Sequence, residues 1–203
     1  MSAEEYLPDR LSLKGLREAA ARCRGCGLYK EANRTVFGEG KKSSRMMLVG
    51  ETPGDVEDRE GHVFVGPAGH ELDRALEKLG IERSDVYLTN AVKHFRFEER
   101  GKRRIHQTPT ARQITACRPW VRAELRVVKP EALVVMGAVA AKTLLGNDFR
   151  VTEQRGRVPD SDLAPIVVAT VHPSVILRAP DARARRRERD AFVNDLRVAL
   201  RAL

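Results

Sequence analysis

Three polar side chains of different chemistry stand just beyond apolar runs of the sequence. Glu51 lies in Gly50-Glu51-Thr52-Pro53-Gly54, Asn90 opens Asn90-Ala91-Val92-Lys93-His94, and His172 opens His172-Pro173-Ser174. A carboxylate can steady positive charge growing on a reacting carbon or orient a nucleophile. An amide offers a donor and an acceptor side by side. An imidazole can aim a donor at developing negative charge. A second set comprises Cys23 and Cys26, spaced Cys-x-x-Cys, and a distant Cys117. In a reducing compartment such thiols serve as metal ligands, catalytic groups or buried packing rather than disulfides. A third is the basic string Gly101-Lys102-Arg103-Arg104-Ile105-His106.

Elements that would carry these residues are legible. Four short aliphatic runs, Arg45–Val49, Asp85–Thr89, Ala132–Met136 and Pro165–Thr170, read as buried strands. Helical patterns occupy Ala68–Leu79, Thr110–Val127, Ala138–Leu145 and Asp181–Leu203. In the last of these, Phe192, Leu196, Ala199, Leu200 and Leu203 recur at helical spacing. Alternating strands and helices predict a parallel sheet covered on both faces. Ligands of such sheets bind beyond the carboxyl ends of the strands, so Glu51, Asn90 and His172 should meet in one crevice.

With 203 residues the chain suits one α/β domain, 1–203. Lys and Arg total 37 against 28 Asp and Glu, a net charge of +9 that favours a polyanionic partner such as nucleic acid. An Arg-rich surface with no such partner has the same composition, and a solvated helix face is the simplest reading of Arg183–Arg189. No apolar run is long enough to span a bilayer and no signal-peptide core opens the chain. The expectation is therefore a monomeric cytoplasmic protein, in a bacterium associated with the nucleoid, with no membrane partner.

Taken in order, Gly50-Glu51-Thr52-Pro53-Gly54, Phe64-Val65-Gly66-Pro67-Ala68-Gly69, Asn90-Ala91-Val92-Lys93 and His172-Pro173-Ser174 resemble the uracil-DNA glycosylase superfamily, closest to its iron–sulfur family 4. The resemblance implies a three-layer α/β/α sandwich around a four-stranded parallel sheet. It implies a substrate, uracil-containing DNA with single strands preferred, whose nucleotide is taken out of the stack and held in a pocket. Phe64 would stack on uracil and Asn90 would read its polar edge. His172 would donate to O2, while Glu51 would steady the sugar or orient the nucleophile. Gly50, Thr52 and Asp55 would complete that wall, and Arg178 would reach a phosphate or support the basic loop.

Family 4 carries four cysteines on a 4Fe–4S cluster. Here Cys23, Cys26 and Cys117 match, while His94 stands where the fourth cysteine would be, implying a Cys3His site. Imidazole can replace thiolate on iron, and structural zinc is the alternative. The Lys102-Arg103-Arg104-Ile105-His106 string is similar to the insertion of the UdgX group, whose loop histidine bonds covalently to the sugar after uracil leaves. By that resemblance His106 is the nucleophile, and Lys102, Arg103 and Arg104 would hold nearby phosphates and keep the loop over the site. Thr52 departs from both patterns, standing where UdgX-like members have Gln and ordinary family 4 members Ala. Thr52 is expected to keep a hydrogen bond to the histidine or to water. Two alternatives remain: a conventional turnover glycosylase releasing abasic DNA, and a non-enzymatic, metal-stabilised DNA-binding protein.

Overall fold

The computed structural model describes residues 1–156 and 161–203. Its centre is a sheet of β1 (Met46–Gly50), β2 (Val86–Asn90), β5 (Ala132–Met136) and β6 (Ile166–Thr170), all parallel and ordered β2-β1-β5-β6. Every residue of β1, β2 and β5 is buried. This explains runs of Met, Leu and Val with no polar alternation, because both faces of the sheet are covered. Helices α3 (Pro67–Lys78), α7 (Ser174–Leu177) and α8 (Ala182–Arg201) pack together as one group. The other comprises α1 (Leu13–Ala20), α4 (Ala111–Val128) and α5 (Ala138–Leu145). The expected three-layer α/β/α architecture is therefore the one observed.

Local sequence sets the helix starts. Thr110 caps α4 through the amide of Gln113 at 3.3 Å, while the Gln113 side chain returns to the Thr110 amide at 2.8 Å. Asp181 caps α8 on the Ala184 amide at 2.7 Å. Pro67 opens α3, where a missing N–H costs no helical hydrogen bond.

Each predicted strand matches an observed one within a residue or so. The shift in β1 and β2 makes Gly50 and Asn90 the last strand residues, paired in register across the sheet. Outside the sequence reading lie α1, α2 (Asp55–Glu60), α6 (Val151–Gln154), α7, and a hairpin of β3 (Phe97–Arg100) and β4 (Arg103–His106). The basic loop is thus an antiparallel ribbon turning at Gly101-Lys102. Its strands are mostly exposed and charged, so they lack the apolar alternation that marks a strand in sequence.

Two apolar clusters form the interior. The larger surrounds the sheet. A smaller one joins Leu16, Phe37, Val92 and Trp120 with Cys23 and Cys117. No described helix is long and apolar enough to cross a membrane.

Candidate active site

At the carboxyl edge of the sheet lies a cavity of about 770 Å³. Glu51, Asn90, Gly137 and His172 reach it from the ends of the four strands, Phe64 from the loop before α3, and His106 from β4. The three polar groups singled out in the sequence therefore share one crevice, as the strand-end rule predicts.

Phe64 is buried and holds φ at +52°, an unusual value for a bulky residue. Its surroundings fix it there. Arg83 donates to the carbonyls of Val63 at 2.5 Å and Phe64 at 3.2 Å, and pairs with Asp73 at 2.6 Å. A Cβ at Gly69 would lie 1.8 Å from the Phe64 carbonyl oxygen, so that position admits only glycine. The Phe64 ring runs nearly parallel to His172, with centroids 6.2 Å apart. Gly50 lets Asn90 and Phe64 approach, since a Cβ there would stand 2.5 Å from Asn90 Oδ1 and 2.5 Å from Phe64 Cζ.

Asn90 is buried, and among the described residues nothing hydrogen-bonds its Oδ1. A buried amide left unpaired is costly unless a ligand completes it. His172 Nδ1 accepts the Ser174 backbone N–H at 3.3 Å and lies 2.8 Å from Ser174 Oγ. Because a backbone amide only donates, the neutral ring carries its proton on Nε2, available as a donor. Burial, followed by the positive fields of His106 and Arg178, lowers the His172 pKa to about 4.

Glu51 Oε1 accepts the Val139 amide at 3.0 Å, at the start of α5. Burial raises its pKa, opposed by that hydrogen bond, the charge of Arg178 and the Ala138 amide. Arg178 is exposed at the rim, and its charge reaches Glu51, His106 and His172. Thr52 is buried and its hydroxyl donates to the His94 carbonyl at 2.9 Å. That proton is committed to the backbone, which leaves the hydroxyl oxygen only as an acceptor for a site histidine or water.

One basic-loop assignment narrows. Arg104 points inward: its guanidinium meets Asp55 Oδ1 at 2.5 Å and Asp58 Oδ2 at 2.6 Å, and it covers the rings of Phe95 and Phe97. It fastens the hairpin to α2 instead of standing free for a phosphate. Asp55, on α2, lines the cavity as expected, with its carboxylate paired to Arg104 and, at 3.0 Å, to Arg59. Lys102 and Arg103 are exposed at the turn. His106 is more open to solvent than the sheet-end residues, with Phe95 beneath it at 5.9 Å between centroids. Loss of solvation and the charge of Arg178 lower its pKa, and Glu57 pulls it back upward.

The sequence reading passed over three contributors. Glu57 is buried and bridges the first two motifs, accepting the Gly66 amide at 2.8 Å and the Gly54 amide at 3.1 Å. Its three-residue spacing from Gly54 is a helix-start signal. Ser174 sets the His172 tautomer and was visible only as part of its motif. Arg83 carries no local signal, because its partners lie 10 to 20 residues away.

None of the four candidate metal ligands, Cys23, Cys26, His94 and Cys117, lines this cavity. Cys23 accepts N–H groups from Gly25 and Trp120, each at 3.4 Å, and Cys117 accepts from Lys93 at 3.3 Å. Burial pushes Cys117 up to about 12 and also raises Cys26. His94 shares a cavity wall with Cys23; its Nε2 lies 2.9 Å from Thr35 Oγ1 and its buried Nδ1 has no partner among the described residues. Burial lowers the His94 pKa to about 4, so its ring is neutral near pH 7. Among the described residues, no three His, Cys, Asp or Glu side chains are grouped to hold a single metal ion.

Comparison with known proteins adds a family to this geometry. Residues 37–197 match the family model described as the uracil DNA glycosylase superfamily. A type-4 uracil-DNA glycosylase of Pyrobaculum aerophilum is 33% identical over 180 residues, covering 85% of this chain and 88% of the relative. One from Thermotoga maritima is 34% identical over 170 residues, covering 83% and 85%. A type-5 uracil-DNA glycosylase of Pyrobaculum aerophilum is 33% identical over 121 residues, covering 52% and 50%.

Proposed function

Because the chain belongs to the uracil DNA glycosylase superfamily, we propose that it excises uracil from DNA and releases an abasic strand. The observation that carries this reading is the single cavity joining Glu51, Phe64, Asn90 and His172. An extruded uracil lies against Phe64, and the amide of Asn90 pairs with its polar edge. As the bond from ring nitrogen to C1′ breaks, the electron pair moves onto the base. His172 Nε2–H donates to the carbonyl that receives the charge. Glu51 faces the electron-poor sugar, steadies it and orients the water whose oxygen then bonds to C1′. Uracil takes up the proton released by that water.

Type-4 relatives along most of the chain favour turnover by water. A second reading, in which the protein stays on the DNA as in the UdgX group, rests on the place of His106 in the same cavity. In its neutral form an imidazole nitrogen can attack C1′ in place of water. One assay separates the two. The protein is incubated with a uracil-containing single-stranded oligonucleotide, free uracil is quantified, and the mixture is run on a denaturing gel beside His106→Ala. Uracil in excess of protein, with no shifted band, supports turnover. A band that survives heat and detergent, and is lost in His106→Ala, supports capture. No uracil from metal-loaded protein would sink both and leave the DNA-binding alternative.

The donor set fits a 4Fe–4S cluster held by Cys23, Cys26, Cys117 and His94 Nδ1. Cys23 and Cys117 already accept N–H groups that would steady thiolate charge, and the unpaired buried nitrogen of His94 suits a metal better than an empty interior. Structural zinc on the same four residues is the alternative. Such a cluster would tie the N-terminal segment to α4 and take no part in excision. The protein would act as a monomer, as one domain over 1–203.

A further inference from the structure

Behind the base pocket lies a charged pair with no access to solvent. The side chains of Lys93 and Glu124 are both 0% exposed, and Lys93 Nζ donates to Glu124 Oε2. The ammonium also donates to Thr89 Oγ1 at 2.6 Å and to the backbone carbonyl of Asn90 at 2.8 Å. All three of its protons are therefore used. The other Glu124 oxygen accepts from Tyr87 at 3.0 Å, Thr89 at 2.9 Å and the Gly38 amide at 3.2 Å. The Lys93 backbone amide meanwhile donates to Cys117 Sγ.

A buried ion pair is a poor way to gain stability, since apolar side chains of similar volume often serve as well. Its geometric content is greater. At the buried strand end the Asn90 carbonyl is held by a lysine ammonium in place of a backbone partner. That carbonyl belongs to the same residue whose unpaired Oδ1 was noted above and which lines the base pocket. Glu124, on α4, fixes where the ammonium sits.

We propose that Lys93, oriented by Glu124, is a positioning residue for base recognition: it locks the Asn90 peptide so that the amide meets uracil without rearrangement. This rests on the reading of the cavity as a uracil site. Removal of either partner alone would leave a buried charge unpaired and threaten the fold, so the informative variant removes both charges. Lys93→Met with Glu124→Gln keeps an acceptor for Tyr87, Thr89 and Gly38 and deletes the bond to Asn90.

The readouts are thermal melting, metal content and the affinity for free uracil measured by calorimetry. Wild-type melting and metal content with uracil affinity reduced about tenfold, the loss of roughly one well-placed hydrogen bond, is the expected result. Uracil affinity indistinguishable from wild type in that folded variant would overturn the proposal and leave the pair a packing device. Should the double variant not fold, Thr89→Val removes one acceptor of the ammonium while keeping side-chain shape. Weaker uracil binding is then expected beside a lower melting temperature, because the threonine also donates to Glu124, and unchanged binding in the folded variant would overturn the proposal. A wild-type chain that binds no uracil would fail at the cavity reading itself.

Discussion

The two walls of the cavity are built on different terms. The sheet-end wall consists of residues whose positions are set several times over: Phe64 by Arg83 and the contact at Gly69, Asn90 by strand register and Lys93, His172 by Ser174. The opposing wall is a two-stranded ribbon that reaches the site with His106 and hangs largely on Arg104. Isolated hairpins are marginally stable in water, so the second wall depends on a docking contact and the first on the core. Chemistry carried by the first wall should tolerate little change, whereas the second can be altered without unfolding the protein.

The sharpest way to test this contrast is Glu51→Ala or Asn90→Ala. Each should slow single-turnover uracil release by about 10²–10³, the usual effect of removing one preorganised group, with native melting. Gly69→Ala comes next. Pushing a methyl into the Phe64 carbonyl should cost about 3 kcal/mol in denaturant unfolding, and an unchanged midpoint would break the claim that this wall is over-determined. Arg104→Ala should cost about 2 kcal/mol, since a buried Asp58 keeps the amides of Asn33 and Arg34 but loses its cation. Amide hydrogen exchange should then quicken in 97–106 and stay slow in the sheet. The smallest effect belongs to Lys102→Ala and Arg103→Ala: unchanged melting, with the salt dependence of DNA binding reduced by about one phosphate contact each.

Acid offers another probe of the first wall. His172 titrates at about 4 in the fold against about 6.5 in an unfolded chain. Below 6.5 the unfolded chain takes up a proton that the native ring refuses, so stability falls as pH drops from 6.5 to 4 and this contribution ends below 4. His172→Gln should reduce the slope of that part of a stability–pH curve measured by urea denaturation, leaving the like contribution of His94.

What could be read in advance divides along the same line. The strands were legible because burial on both faces leaves uninterrupted Met, Leu and Val, and the strand-end rule then brought Glu51, Asn90 and His172 together. The hairpin was illegible because Phe97, Glu98, Glu99 and Arg100 show no alternation, and its order comes from a contact 46 to 49 residues away. The same holds for Arg104: a basic run reads as a phosphate contact until its partners are known. The use of the Thr52 proton was hidden because a backbone carbonyl, which leaves no trace in residue identity, claimed it and left the hydroxyl oxygen only as an acceptor. Lys93 and Glu124, 31 residues apart, gave no hint of pairing.

The pinned Phe64 has a thermodynamic consequence. A ring that is 4% exposed, on a backbone clamped from both sides, has little rotational freedom left to surrender when a base arrives. Contact with a flat heterocycle should therefore show as heat released with only a small opposing entropy change. Thicker or puckered rings should be turned away sharply, since the floor cannot give.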